Sequence, residues 1–299
     1  MRTCSRLLSV GLFLVALFAV SASAQTPREA VLVTPAWLAQ HVTDANLVLL
    51  HIGDKAEYDA KHIAGARFVA TNDIANSEPG GLSLQLPAAD DLRQKLQALG
   101  ISNNSRIVVY YGKDRVPQTT RVMFTLDAAG LGAQSSLLDG GMSAWERAGH
   151  PTTADVTPAK TGTLAPLTMK PIVVDADYVT SHLDTPTFRL IDARLPAFYD
   201  GTQTGGSAAA RHKTGHIVGA KNVPFDSLTD ATFNWKPAAD LAAAFANAGV
   251  KAGDEVVAYC HIGQQATAVI FAARTLGITV KLYDGSFEDW SKRDGAVIK

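Results

Sequence analysis

Short unbroken apolar runs, LVLL at 47–50, RIVVYY at 106–111, RLIDA at 189–193 and EVVAY at 255–259, punctuate the chain between stretches of longer period. Runs of this kind, rich in β-branched residues and bounded by Gly, Asp or Asn, predict buried strands of a parallel sheet. Between them AADDLRQKLQALG at 88–100 places Leu92, Leu96 and Leu99 on one face, with Gly100 behind them as a helix stop. AADLAAAFANAG, ending at Gly249, repeats the arrangement, and TAVIFAARTLG at 267–277 sets Val269, Ile270, Ala273 and Leu276 on one face of a third helix. Strands alternating with helices predict an α/β fold, a parallel sheet with helices on both faces.

The pattern occurs twice. LVLLHIGDKAEYDAKHIAGARFV at 47–69 parallels FRLIDARLPAFYD at 188–200 followed by GHIVGAKNVPF at 215–225. RIVVYYG at 106–112 parallels EVVAYCH at 255–261, and LLDGGMSAWERAGHP at 137–151 parallels LYDGSFEDWSKRDG at 282–295. Three landmarks in the same order predict two tandem domains of one design, over 25–152 and 171–299. The aperiodic, Pro- and Thr-rich segment between them, at 153–170, reads as a linker. GTQTGGSAAARHKTG at 201–215 interrupts the second copy, and its Gly and Ser content predicts a mobile surface loop, either a lid or a tolerated insertion.

Composition adds the compartment. Residues 1–24 begin MRTCSR, continue through LLSVGLFLVALFAV and reach SASA before Gln25, which reads as a signal peptide cleaved after Ala24. The apolar run is shorter than the ~20 residues that span a bilayer, so no stable membrane association is expected after cleavage. A periplasmic or secreted location follows. Removing the two arginines of the leader takes the net charge from −1 to −3, with no block of like charge, which gives no support for nucleic-acid binding.

The chain has two cysteines, and Cys4 lies in the leader, so Cys260 stands alone in the mature protein. An unpaired thiol in an oxidising compartment is exposed to oxidation, and burial as an inert core residue is one reading of it. Its surroundings favour another. Cys260 ends the predicted strand EVVAY, and CHIGQQA leads into the next helix, which is the crevice where open parallel sheets bind ligands. The loop amides and the helix N-terminus are expected to favour a thiolate, and Gly263 to let the loop curl. A C-x-x-C redox pair is excluded by the single cysteine, and a phosphate loop by Ala266 where an arginine is required. A papain-like hydrolase with His216 or His261 as base has no supporting signature.

With LIDAR carrying Asp192 and Arg194, GHIVGAKNVPF carrying His216, YCHIGQQAT carrying Cys260 and YDGSFEDW carrying Trp290, the chain resembles the two-domain rhodanese-type sulfurtransferases over nearly its whole mature length. The resemblance implies an inactive first copy, and RIVVYYG has no cysteine to match Cys260. It implies a catalytic Cys260 that takes sulfur from thiosulfate or 3-mercaptopyruvate as a persulfide and passes it to cyanide, a thiol or a protein acceptor. It also implies substrate contacts from His261, Ile262, Gly263, Gln264, Gln265 and Arg194, and no metal or organic cofactor. The loop departs from the family in having no basic residue beyond His261, and Phe198 stands where an arginine is common. The recurrence of His62 and His216, and of Trp145 and Trp290, in both copies marks these four as structural.

Overall fold

The computed structural model describes residues 25–77, 81–156, 158, 160–207 and 211–299. The predicted leader over 1–24, with Cys4, lies outside them. The first half runs α1 (Pro27–Val31), β1 (Leu32–Val33), α2 (Pro35–His41), β2 (Leu47–Ile52), α3 (Lys55–Ala60), β3 (Arg67–Val69), α4 (Ala89–Ala98), β4 (Arg106–Tyr111), α5 (Val116–Ala128), β5 (Ser135–Leu138) and α6 (Gly141–Arg147). The second runs β6 (Val173–Val174), α7 (Ala176–His182), β7 (Phe188–Asp192), α8 (Pro196–Tyr199), β8 (His216–Ile217), β9 (Lys221–Asn222), α9 (Ala238–Asn247), β10 (Glu255–Tyr259), α10 (Ala266–Thr275), β11 (Val280–Tyr283), α11 (Ser286–Lys292) and β12 (Val297–Ile298).

Among the described residues the strands form two parallel sheets in matching order, β1-β5-β4-β2-β3 and β6-β11-β10-β7-β9, with β8 and β12 as an antiparallel pair apart. The repeat read from the sequence is thus a repeat of topology. The central strands β4 and β10 are flanked on both sides, which accounts for their unbroken apolar runs: Ile107 to Tyr111 and Val256 to Tyr259 are all buried. Gly100 and Gly249 end α4 and α9 with left-handed φ of 77° and 81°, as a helix stop requires.

Val269, Ile270 and Ala273 of the helix after Cys260 are buried as predicted, and the burial extends beyond that face. From Ala266 to Ala273 every residue of α10 is buried, because one side packs on its own sheet and the other meets α5 of the first half. Thr120 and Thr267 share a hydrogen bond of 2.9 Å across that contact. One continuous apolar cluster therefore includes Val109 and Phe124 of the first half with Val256 and Phe271 of the second. The two copies share a core.

The segment between the copies is strapped down as well. Gly162 donates its N–H to Gln97 O at 2.8 Å, Leu164 is buried, and Lys170 N–H reaches Ala128 O at 2.8 Å. Among the described residues no helix is long and apolar enough to cross a membrane.

Candidate active site

Strand β10 ends at Tyr259 and delivers Cys260 to the sheet's C-terminal crevice. The turn to α10 is made possible by Gly263, whose φ of 77° leaves it facing the Asp284 carbonyl at a separation a Cβ would reduce to 2.7 Å. The result is a cradle: the backbone N–H groups of Ala266, Ile262 and Gln265 all bear on the Cys260 sulfur. They do not win outright. Cys260 is fully buried, and burial pushes its thiol above the ordinary cysteine value, against the pull of those three amides. This differs from the thiolate the loop geometry alone predicts, because desolvation penalises a charge more than three neutral dipoles recover here.

Two devices from elsewhere in the chain hold the loop. Arg121, on α5 of the first half, is fully buried and donates to Asp284 Oδ1 at 2.6 Å, to the Gly263 carbonyl at 3.2 Å and to the Leu84 carbonyl. Ser286 accepts the Cys260 N–H at 3.1 Å and donates its hydroxyl to Tyr283 O at 2.8 Å. Its φ is 51°, and the first half has Gly141 at the matching position with φ 54°. A left-handed non-glycine residue costs about 1–2 kcal/mol. The hydroxyl offsets part of that by capping the cysteine amide.

The loop is covered from above. The His261 ring meets Phe198 edge-on at 4.6 Å and lies 5.6 Å from His212, while Gly205 is so close that a Cβ there would fall 2.6 Å from His261 Nδ1. His212 and Gly205 both belong to the 201–215 insertion, and His212 N–H closes back on Gly205 O at 3.0 Å. The described parts of the insertion thus pack across the cysteine loop. His261 Nδ1, His212 Nδ1 and Gln265 Oε1 are buried without a hydrogen-bond partner. Burial, with the field of Arg194 next, holds the His261 pKa down at about 4, so the ring is neutral near pH 7.

The rhodanese-like domain family matches this chain twice, over residues 34–148 and 175–293. The chain belongs to that family. Among curated proteins it is similar to the thiosulfate sulfurtransferase of Rattus norvegicus, 29% identical over 242 residues that cover 80% of each chain. It is 28% identical over 286 residues to the thiosulfate/3-mercaptopyruvate sulfurtransferase 2 of Arabidopsis thaliana, covering 85% of this chain and 82% of that one. Among solved structures, an anaerobic ergothioneine biosynthesis enzyme from Chlorobium limicola superposes with a TM-score of 0.81 at 20% identity, over 90% of this chain and 70% of that one. At that identity the likeness is one of fold.

In this rhodanese-like chain the predicted site residues come together unequally. Cys260, His261, Ile262, Gly263, Gln264 and Gln265 form one loop, with the Gln264 carbonyl taking the Thr267 hydroxyl at 2.6 Å. Arg194 lies close enough for the Cys260 charge to act on it, but its guanidinium is committed: Nη2 donates to Asp192 Oδ2 at 2.5 Å and to Gly215 O at 2.8 Å, and it stacks on Phe287 at 3.9 Å. Burial opposes the Arg194 charge, yet the bonds and field of Asp192 more than offset it and raise its pKa. His62 and His216 stack on Tyr58 and Tyr199 and bond the carbonyls of those same residues through Nδ1, identical jobs in both copies. Trp145 and Trp290, each 2% exposed, donate their indole N–H to Pro151 O and Ala296 O, again in parallel. Sequence reasoning missed Ser286, Arg121 and Asp284. The replacement of Gly141 by Ser286 between the copies was the one visible signal. Among the described residues no group of three His, Cys, Asp or Glu side chains is placed to hold a metal.

Proposed function

We propose that this chain is an exported sulfurtransferase that moves a sulfane sulfur from thiosulfate to cyanide or a thiol acceptor, carrying it as a persulfide on Cys260. The observation that carries the reading is a lone sulfur inside a three-amide cradle at the C-terminal end of β10, where the twin half, aligned by the Tyr110 and Tyr259 hydroxyls that accept the Ile63 and Ile217 N–H groups, has Tyr111. The name of the rat relative supports thiosulfate as donor, and the 1–24 segment supports the periplasm or a secreted state. In the reaction the Cys260 thiolate attacks the outer sulfur of thiosulfate, the S–S bond breaks, and sulfite leaves with the electron pair. The amides of Ile262, Gln265 and Ala266 hold the negative charge on the attacking sulfur and then on the persulfide. An acceptor thiolate or cyanide takes the outer sulfur, and the Cys260 thiolate is restored.

A second donor is favoured by one feature. From Cys260 to Gln265 the loop has no lysine or arginine, and neutral His261 adds no positive charge, which suits the single carboxylate of 3-mercaptopyruvate better than a dianion. The Arabidopsis relative carries both substrates in its name. A protein donor is the third arrangement. Intact-mass spectra after incubation with each small donor decide among them: a gain of one sulfur from thiosulfate and not from mercaptopyruvate is expected, the reverse selects the second donor, and no gain from either leaves a protein-loaded carrier.

The raised thiol gives a pH dependence. Because the thiolate is the nucleophile and burial favours the thiol, kcat/KM for the donor is expected to climb about tenfold per unit through neutrality and past roughly pH 8.5, the ordinary cysteine value. A rate already flat between about pH 6 and 8 would mean the cradle outweighs burial in solution.

A further inference from the structure

We propose that the first half contains a second ligand site, in the place its twin gives to Arg194 and His261, and that this site takes a small zwitterionic α-amino acid. Pairing of the two copies puts His51 of β2 at the position of Asp192, Gly53 at that of Arg194, Tyr111 at that of Cys260 and Gly112 at that of His261. The second half fills this region with the Arg194 guanidinium and the His261 ring. The first half has neither, and a cavity of about 350 Å³ remains, lined by His51, Glu57, Lys61, Gly112, Lys113 and Met142 among others.

The imidazole at its floor is unspent. A Cβ on Gly112 would lie 3.1 Å from Glu57 Oε2 and 3.5 Å from His51 Nε2, so both atoms border the space the missing side chain leaves. His51 is 1% exposed, and neither of its ring nitrogens has a hydrogen-bond partner. A buried polar group left this way has lost its bonds to water, and a bonded ligand restores them. The rim carries both signs: Lys113 pairs with Glu57 at 2.6 Å, and Lys61 pairs with Glu146. Burial keeps the His51 pKa near 4, so the imidazole is neutral and the lining has no net charge.

This chemistry selects the ligand. A sulfur oxyanion entering this cavity meets the Glu57 carboxylate and a neutral imidazole, so the pocket is not a second donor site. An α-amino acid sets its ammonium against Glu57 and His51 and its carboxylate against Lys113 or Lys61, while Met142 and Ala60 give its side chain an apolar wall. The volume lies at the small end of the ~300–1,000 Å³ typical of ligand pockets.

The test is calorimetric titration of the full mature chain with L-methionine, N-acetyl-L-methionine and L-methionine amide. One equivalent of L-methionine should bind, and both blocked forms should bind at least about tenfold more weakly, as should L-methionine to Glu57→Gln. Gly112→Val, which fills the cavity, should remove binding. Both variants should load sulfur on Cys260 as the parent does, which also shows that they fold. No binding at roughly 10 mM, binding that survives Gly112→Val, or equal binding of the blocked forms each overturns the proposal, and none of them bears on the sulfur chemistry at Cys260.

Discussion

Cys260→Ser is expected to abolish sulfur transfer and to leave the fold in place. The two side chains have nearly the same shape, and the amides of Ile262, Gln265 and Ala266 that face the sulfur can bond a hydroxyl instead. Stability should change by about 1 kcal/mol, which in a protein of this size moves the melting temperature by only a few degrees. The chemistry does not survive. A serine hydroxyl is not ionised near neutrality and forms no persulfide, so turnover should fall at least about 10⁴-fold, to background. Steady-state thiocyanate formation and intact mass after thiosulfate should both read zero in a protein whose thermal transition matches the parent. Measurable turnover in that variant would move the nucleophile elsewhere.

Arg121→Met is expected to cause the largest loss of stability of any single substitution near the site. Its guanidinium is fully buried, and Asp284 opposite has a side chain only 5% exposed. Removing the arginine strands a buried carboxylate, which typically costs about 3–5 kcal/mol. It also releases the Leu84 carbonyl, from the first-half segment that reaches across, and the Gly263 carbonyl of the cysteine loop. The urea midpoint should therefore drop, and activity at a temperature where the variant is still folded should drop with it, since the loop amides lose their anchor. Adding Asp284→Asn should restore part of the stability, because the stranded charge is gone. A single variant within about 1 kcal/mol of the parent would mean that solvent reaches Asp284.

Much of the fold was legible from the chain. β4 and β10 read as strands because central strands of a parallel sheet are apolar on both faces, and α4 and α9 read as helices because each has a solvent side and a glycine stop. Helix α10 was legible only in part: its Val269 face follows from the pattern, but its other face is covered by α5, a partner far away in sequence that no periodicity reveals. The composition of the 201–215 insertion left a lid and a tolerated insertion open, and the packing of His212 and Gly205 on His261 is a matter of tertiary structure.

The site divides the same way. Duplication by itself singled out Cys260, since a cysteine present in one copy and replaced in the other, by Tyr111, marks where the copies differ in chemistry, and it identified His62 and His216 as structural through their recurrence. Those are properties of the order of residues. Only the tertiary structure decided what surrounds the sulfur: Arg121 reaching Asp284 across 163 positions of chain, Ser286 capping the cysteine amide, Arg194 held by Asp192, and the burial that raises the thiol despite its cradle. Ion pairing and desolvation depend on which groups the shared core of the two halves brings within a few ångströms, and no local pattern encodes that distance.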